Sequence, residues 1–180
     1  MSDLSGELID GRYQLISQIA QGGMASIYSA LDTRLDRKVA VKIMHAHLAQ
    51  DEDFVARFIR EAKAAAAISH PNLISVHDQG WNTGGTPAVF LVMELVSGST
   101  LRDLINQKGR LSPEELLPIL NEVLSALAVA HKAGIIHRDL KPENIMINKD
   151  NQAILLDFGL ARKKEHSQNF SGSIFYIGPE

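Results

Sequence analysis

A short polar string in the second half of the chain constrains its fold and chemistry more than any other feature. Residues 137–144 read HRDLKPEN. The string contains an acid, Asp139, a lysine two positions later, Lys141, and an amide, Asn144. An acid can accept the proton of a hydroxyl, a lysine can neutralise phosphate charge, and an amide oxygen can ligate a metal ion. Each residue alone fits a polar turn between a helix and a strand, but the three together predict phosphoryl transfer.

A second motif, Asp157-Phe158-Gly159, follows this string in the chain. The aspartate is predicted to hold magnesium that bridges the nucleotide phosphates, and the glycine allows the next segment to move. A tripeptide of this kind occurs often by chance. Its position shortly after residues 137–144 is what makes it informative.

A lysine in an apolar strand-like segment is the third feature. Lys42 ends the VAVK sequence at residues 39–42, and a buried lysine is costly unless it is paired. In the phosphoryl-transfer interpretation, Lys42 binds the α- and β-phosphates of a nucleotide, and Glu61 of the following helix holds it. The alternative puts Lys42 at a strand edge and Glu61 on an exposed helix face. The predicted catalytic residues are Lys42, Glu61, Asp139 and Lys141, and the predicted metal ligands are Asn144 and Asp157.

A glycine-containing turn at residues 20–27 separates two strand-like segments. Glycine allows backbone amides to approach a phosphate closely. Gly22-Gly23 alone would also suit an ordinary hairpin. A dinucleotide-binding fingerprint is disfavoured, because that motif needs a helix after the glycines and residues 26–31 have a strand pattern.

Hydrophobic patterns predict an α+β chain that is rich in strands first and in helices later. Ser112 and Glu115 form a capping box at the start of the second helix, and Gly134 ends it. The predicted strands are 13–19, 27–31, 38–44, 73–77, 88–95, 145–147 and 153–156, a loop is predicted at 81–87, and the predicted helices are 53–68 and 113–133.

Composition limits the range of partners. The net charge is −3 and the charges are mixed along the chain, so nothing indicates a nucleic-acid partner. The chain has no cysteine, which excludes disulfides and thiolate zinc sites. The best apolar run, at residues 88–93, is far shorter than the ~20 residues of a membrane helix. No membrane span is therefore predicted.

The order of these motifs resembles the protein kinase superfamily, and closely the bacterial members of the eukaryotic-type serine/threonine kinases, over residues 13–180. The resemblance implies a kinase-like bilobal fold, with an N-terminal extension at 1–12, a strand-rich lobe with one main helix at 13–96, and an incomplete helical lobe at 97–180. It also implies transfer of the γ-phosphate of ATP to Ser or Thr of protein substrates, with Mg²⁺ or Mn²⁺. Lys141 favours Ser/Thr over Tyr specificity. The alternatives are a catalytically impaired nucleotide- or partner-binding module, and a small-molecule phosphotransferase.

The resemblance also assigns nucleotide contacts. Met93 is the gatekeeper, Glu94 and Val96 offer backbone groups to adenine, and Ala40, Ile27 and Met146 enclose the base. The complete set predicted to contact ATP is Ile19, Ala20, Gln21, Gly22, Gly23, Met24, Ala25, Ser26, Ile27, Ala40, Lys42, Met93, Glu94, Val96 and Met146.

The sequence departs from the family pattern in its glycine turn. The family reads GxGxxGxV, but here Ala20, Ala25 and Ile27 replace the first glycine, the third glycine and the valine. We expect ATP binding to survive in weakened form. The segment after residue 159 offers Ser167, Ser171 and Ser173 as candidate sites of phosphorylation, including autophosphorylation.

The family's APE motif corresponds to residues 178–180, GPE, and kinase domains continue beyond that motif. We therefore expect a truncated domain whose second helix leaves an apolar patch exposed. The expected location is the cytoplasm, either alone or as part of a longer membrane-anchored kinase, and the resemblance allows a dimer of two kinase domains.

His45 and His47 are expected to be exposed after the VAVK strand.

Overall fold

The computed structural model describes residues 3–82, 84, 87–156 and 162–163. The chain divides into two compact units. Residues 1–62 and 75–95 form the first, called here the sheet unit, and residues 63–74 and 96–180 form the second, called the helical unit.

The sheet unit is built on six antiparallel strands in the order β1-β2-β3-β4-β6-β5. Consecutive strands β1 to β4 pair with their neighbours, as expected for a meander with short connections. The strands are β1 Leu8–Ile9, β2 Tyr13–Gln21, β3 Ala25–Asp32, β4 Arg37–Met44, β5 Val76–Asn82 and β6 Ala88–Glu94.

One side of this sheet, called the inner face, carries the main apolar core. Alternate residues of a strand point to the same side, and Tyr28 and Ala30 of β3 are buried accordingly. Two residues from the segment before β2, Leu4 and Ile9, complete this core. The inner face consists of Leu4, Ile9, Tyr13, Leu15, Tyr28, Ala30, Val39, Val41, Ile43, Ala88, Phe90 and Val92.

One helix, α1 (Glu52–Ala66), contributes residues 52–62 to the sheet unit. Asp51 caps its start, because its Oδ1 accepts the N–H groups of Asp53 and Phe54 at 2.9 and 3.3 Å. Phe58 and Ala62 pack with the strand residues Ala25, Met44, Val89 and Leu91. The helix predicted at 53–68 is therefore present, with its end two residues earlier.

Strand β5 differs from the prediction. A strand was expected at 73–77 and a loop at 81–87, whereas the strand spans Val76–Asn82. Exposed and half-buried residues alternate along most of β5, so one face of the strand is solvated and its sequence, VHDQGWN, lacks an apolar run. Gly80 fits because a Cβ there would lie 2.8 Å from the Phe90 ring.

A partly buried ion-pair network joins the residue before β2 to the end of β3 and to β5. Arg12 donates from Nε and Nη2 to both carboxylate oxygens of Asp32, at 2.8 and 2.7 Å. Its Nη1 donates to Asp78 Oδ2 at 3.2 Å, and the Tyr13 hydroxyl donates to the same oxygen at 2.6 Å. The bond from Arg12 lowers the pKa of the buried Asp32 to about 2, and burial, with the Asp78 contact next, raises the pKa of Tyr13.

The helical unit contains two capped helices, α2 (Leu101–Lys108) and α3 (Pro113–Lys132). Both begin with a capping box, formed by Thr100 with Asp103 and by Ser112 with Glu115. Each box satisfies backbone N–H groups that would otherwise lack a partner in the first turn. The α3 prediction is confirmed, whereas α2 was not predicted.

Short strands in this unit hold the segment that follows α3. β7 (Gly98–Thr100), β9 (Ile145–Asn148) and β10 (Ala153–Leu155) form an antiparallel sheet in the order β10-β9-β7, and β8 (Ile135–Ile136) pairs with β11 (Arg162–Lys163). The strands predicted at 145–147 and 153–156 are confirmed.

Helix α3 buries one side and exposes the other. Ile119, Val123 and Leu127 are buried, whereas Leu117, Leu120 and Leu124 are 56%, 40% and 60% exposed. The expected apolar patch is thus present on this helix. Within the described part of the chain, no helix has the length and apolarity needed to cross a membrane.

Candidate active site

The string at residues 137–144 lies between β8 and β9 and ends in a 3-10 turn, Pro142–Asn144. His137 is 2% exposed and anchors its start. Its Nε2 donates to the Leu156 carbonyl at 2.8 Å, and its Nδ1 accepts the N–H of Asp139 at 3.3 Å. One nitrogen donates and the other accepts, which defines a neutral imidazole with its proton on Nε2.

Two of the predicted site residues, Lys141 and Asn144, contact the carboxylate of a third, Asp139. Asp139 Oδ2 accepts Asn144 Nδ2 at 3.0 Å and contacts Lys141 Nζ at 2.8 Å. Asn144 Nδ2 also donates to the backbone carbonyl of Asp139 at 2.7 Å. The Asp139 side chain is 19% exposed and that of Lys141 is 28% exposed. The acid is therefore oriented by two neighbours while a substrate can still reach it.

The residue before this acid has an unusual backbone. Arg138 has a φ of 64°, a left-handed conformation that costs energy for a residue with a side chain. The bond from the Asp139 N–H to His137 Nδ1 spans this residue. His137 therefore helps to hold the backbone in the conformation that directs Asp139.

The geometry of Asn144 suits a hard cation. Its Nδ2 is bonded to Asp139, so Oδ1 is the remaining polar atom of its side chain, and an amide oxygen is a ligand that Mg²⁺ accepts. Its backbone carbonyl accepts the Leu156 N–H at 2.8 Å. The second predicted ligand, Asp157, lies outside the described residues together with Phe158 and Gly159.

In the sheet unit, several residues predicted to bind a nucleotide lie on one side of the sheet. Directly paired residues of an antiparallel ladder share a face. Ile27 pairs with Lys42, and Ala40 pairs with Met93, while Ala40 and Lys42 are two residues apart. Ile27, Ala40, Lys42 and Met93 thus form one surface, called here the lysine face.

Lys42 itself is 8% exposed. Its Nζ lies 5.9 Å from the centre of the Phe58 ring of α1, a cation–π distance that offsets part of the cost of burial. Glu61 lies in the same helix, but its side chain is outside the described part of the structure. Its pairing with Lys42 stays a prediction.

The glycine turn is exposed at residues 21–24. It is closed by a bond from the Gly22 N–H to the Ala25 carbonyl at 2.9 Å. A Cβ at Gly23 would meet no protein atom within 4 Å, and one at Gly22 would meet only the Ala25 oxygen, at 3.6 Å. Packing within the chain therefore does not require glycine at either position.

One histidine contradicts its expectation. His45 is 6% exposed and its Nε2 lies 3.2 Å from Ser26 Oγ, itself 3% exposed. The expected exposure was wrong because His45 follows Val41 and Ile43 at two-residue spacing, which directs it to the inner face. His47 is exposed as expected.

The remaining predicted positions are spread over both units. Ile19 and Ala20 are exposed in β2, and Glu94 is exposed at the end of β6. Val96 and Met146 are half-buried and belong to the helical unit. The candidate phosphorylation sites lie outside the described residues: Ser167, Ser171 and Ser173.

Comparison with known proteins gives a consistent result. A family model described as "Protein kinase domain" matches residues 13–180. The serine/threonine-protein kinase PknL of Mycobacterium bovis is 44% identical over 182 aligned positions, covering 98% of this chain and 45% of the relative. The serine/threonine-protein kinase PrkC of Bacillus subtilis is 41% identical, covering 98% of this chain and 28% of the relative. The chain thus spans less than half the length of these relatives.

A solved structure titled "PpkA-294 apo form" is similar in fold, with a TM-score of 0.76 and 26% identity. The match covers 86% of this chain and 60% of that one. The predicted α+β fold, strand-rich first and helical later, is confirmed by this likeness.

Proposed function

Because the chain belongs to the protein kinase domain family, we propose that it acts in the transfer of the γ-phosphate of ATP to serine or threonine side chains of proteins. Relatives at 41% and 44% identity are named serine/threonine-protein kinases. The observation that carries the proposal is the convergence of Lys141 and Asn144 on the Asp139 carboxylate. A merely structural turn has no need to concentrate an acid, a cation and an amide at a partly exposed point.

In the proposed reaction, the oxygen of the substrate hydroxyl forms a bond to the γ-phosphorus. The bond from that phosphorus to the bridging oxygen breaks, and ADP leaves with the electron pair. Asp139 orients the hydroxyl and takes its proton, and Lys141 neutralises charge on the transferred group. Positioning and electrostatics supply the rate enhancement, since no covalent intermediate with the protein is needed.

A divalent cation, Mg²⁺ or Mn²⁺, supplies charge neutralisation at the nucleotide phosphates when bound. The proposed protein ligands are Asn144, through Oδ1, and Asp157. The bonds from Asn144 Nδ2 to Asp139 restrict the orientation of the amide, so less conformational entropy is lost when its oxygen binds a cation.

The sheet unit supplies nucleotide affinity in this proposal. The lysine face offers a buried cation for the phosphates and apolar side chains for the base. The open space at Gly22 and Gly23 allows backbone amides to approach the phosphates. Glu94, at the end of β6, is the proposed adenine contact of this unit, whereas the contacts of Val96 and Met146, which belong to the helical unit, stay predictions.

A second candidate is nucleotide binding without transfer. Ala25 replaces the third family glycine and is buried at 5% exposure, so the turn has less conformational freedom than the family pattern provides.

Autophosphorylation of Ser167, Ser171 or Ser173, a cytoplasmic location and dimer formation are further proposals that follow from the first one.

The test is transfer of labelled phosphate from ATP to a generic basic protein, with ATP binding measured in parallel by thermal shift. We expect transfer by the wild type and a loss of about 10²- to 10⁴-fold in Asp139→Asn, with nucleotide binding retained. Equal transfer by both proteins would contradict the role of Asp139. ATP binding without transfer by the wild type would favour the second candidate.

A further inference from the structure

The glycine turn changes from exposed to buried within one step of the chain. Residues 21–24 are exposed, whereas Ala25 and Ser26 are 5% and 3% exposed. The bond between Gly22 and Ala25 closes the turn across this boundary. Whatever fixes the chain at Ser26 therefore determines where the amides of the turn lie.

A buried polar pair occupies this boundary. Ser26 continues the buried row of β3 that includes Tyr28, and it pairs in register with Ile43, two residues before His45. Ser26 Oγ and His45 Nε2 lie 3.2 Å apart. Both side chains lie at one end of the mainly apolar inner face. Removal of either partner would leave the other buried without this bond, which is more costly than the bond itself is favourable.

His45 holds the turn at a second point. Its backbone N–H donates to the carbonyl of Met24, the last exposed residue of the turn, at 2.9 Å. One residue thus bonds to the chain on both sides of Ala25. The backbone bond survives any substitution at this position except proline, so a side-chain substitution isolates the contribution of the contact with Ser26.

We propose that His45 is a positioning residue for the glycine turn, which it acts on through Ser26. The bond fixes the start of β3 and so limits the positions that the turn amides can take. This inference rests on the proposed function, because it takes the turn to bind nucleotide phosphates. The Ser26 hydroxyl is directed to His45, so its effect on a nucleotide is indirect.

The test compares two ligands that differ only in the phosphates. Dissociation constants for ATP and for adenosine are measured with the wild type, His45→Phe, Ser26→Ala and the double variant. We expect ATP binding to weaken by about 3- to 10-fold in each single variant, the size of one net hydrogen bond. Adenosine binding stays unchanged, and the double variant is no weaker than the single ones, because all three lose the same bond.

Two further variants sharpen the test. His45→Gln places an amide near the position of Nε2 and is expected to restore most of the ATP affinity. His47→Phe is the matched control, since His47 is exposed and its ring lies 5.8 Å from that of His45. It is expected to bind both ligands as the wild type does. Amide hydrogen exchange at residues 20–27 gives a second readout, with faster exchange expected in His45→Phe and Ser26→Ala.

Unchanged ATP affinity and unchanged exchange in Ser26→Ala would overturn the inference, and this variant also decides the matter if His45→Phe does not fold. If the wild type binds ATP no better than adenosine, the phosphate-binding role in the proposed function fails instead. Amide hydrogen exchange then decides alone. Faster exchange in His45→Phe and Ser26→Ala supports the positioning role of His45, and unchanged exchange contradicts it.

Discussion

Lys42 in the sheet unit and Asp139 in the helical unit are held in different ways. Lys42 lies in the middle of a strand whose backbone pairs on both sides, with Ile27 and with Leu91. Asp139 lies in an irregular loop, where side chains hold the backbone. Strand register places the lysine, whereas a few specific polar contacts place the acid. The sheet should therefore tolerate local substitutions that the loop does not.

The largest expected effect comes from His137, because the loop depends on it. His137→Ala removes two bonds of a fully buried ring, one to Leu156 and one to the Asp139 N–H. We expect a loss of about 3–4 kcal/mol in the free energy of unfolding, together with loss of phosphate transfer. Denaturant titration measures the first quantity.

The control for this variant is His131→Ala, at an exposed position of α3. It should change stability by no more than about 0.5 kcal/mol. Similar stability losses in His137→Ala and His131→Ala would contradict this role, since the loop would then not rely on its buried histidine.

The sheet unit should depend instead on distributed apolar contacts. Ile9 is fully buried in the inner face, whereas its neighbour Leu8 is 44% exposed. Ile9→Ala is expected to cost about 2–3 kcal/mol of unfolding free energy and to leave the ATP affinity of the folded protein nearly unchanged. Leu8→Ala provides the matched control, with a small effect. A large loss of ATP affinity in Ile9→Ala would show that the lysine face is less independent of the core than its register suggests.

The smallest effect concerns acid stability. The pKa of Asp32 is about 2 in the folded protein, against an ordinary value of 3.8, so its stabilisation is fully present only above about pH 5. It is lost as the pH falls from about 5 through the folded pKa of about 2, and amounts to about 1–2 kcal/mol. Unfolding measured across this range should show a smaller decline in Asp32→Asn than in the wild type. The stability of Asp36→Asn, at an exposed position, should decline as that of the wild type does. A smaller decline in Asp36→Asn than in Asp32→Asn would contradict the stabilising role of the ion pair between Arg12 and Asp32.

Much of the chemistry was predictable from sequence because phosphoryl transfer needs few residue types at fixed spacing. The convergence of Lys141 and Asn144 on Asp139 follows from a tight loop, and a short string can specify that loop. The strands from residue 13 to residue 44 were predictable for a similar reason, since each is short and bounded by turn residues.

Other features depend on neighbours that a local pattern does not contain. The prediction for β5 was displaced because one face of this strand is solvated and carries the polar residues His77 and Gln79. α2 was missed because it has only eight residues, although the capping pair of Thr100 and Asp103 was a usable signal. His45 was assigned to the surface although its two-residue spacing from Ile43 was a usable signal; its partner Ser26 is distant in sequence and adjacent only once β3 and β4 pair.

The most direct test of the account places Lys42→Met and Asp139→Asn side by side, with ATP dissociation constants and phosphate transfer measured for both. Lys38→Met is the control, because Lys38 is exposed in the same strand. We predict that Lys42→Met weakens ATP binding by about tenfold or more, the effect of about 1.4 kcal/mol, whereas Asp139→Asn binds ATP within about twofold of the wild type and loses transfer. Equal ATP affinity in Lys42→Met and the wild type, or retained transfer in Asp139→Asn, would contradict the assignment of affinity to the sheet unit and of transfer to the loop.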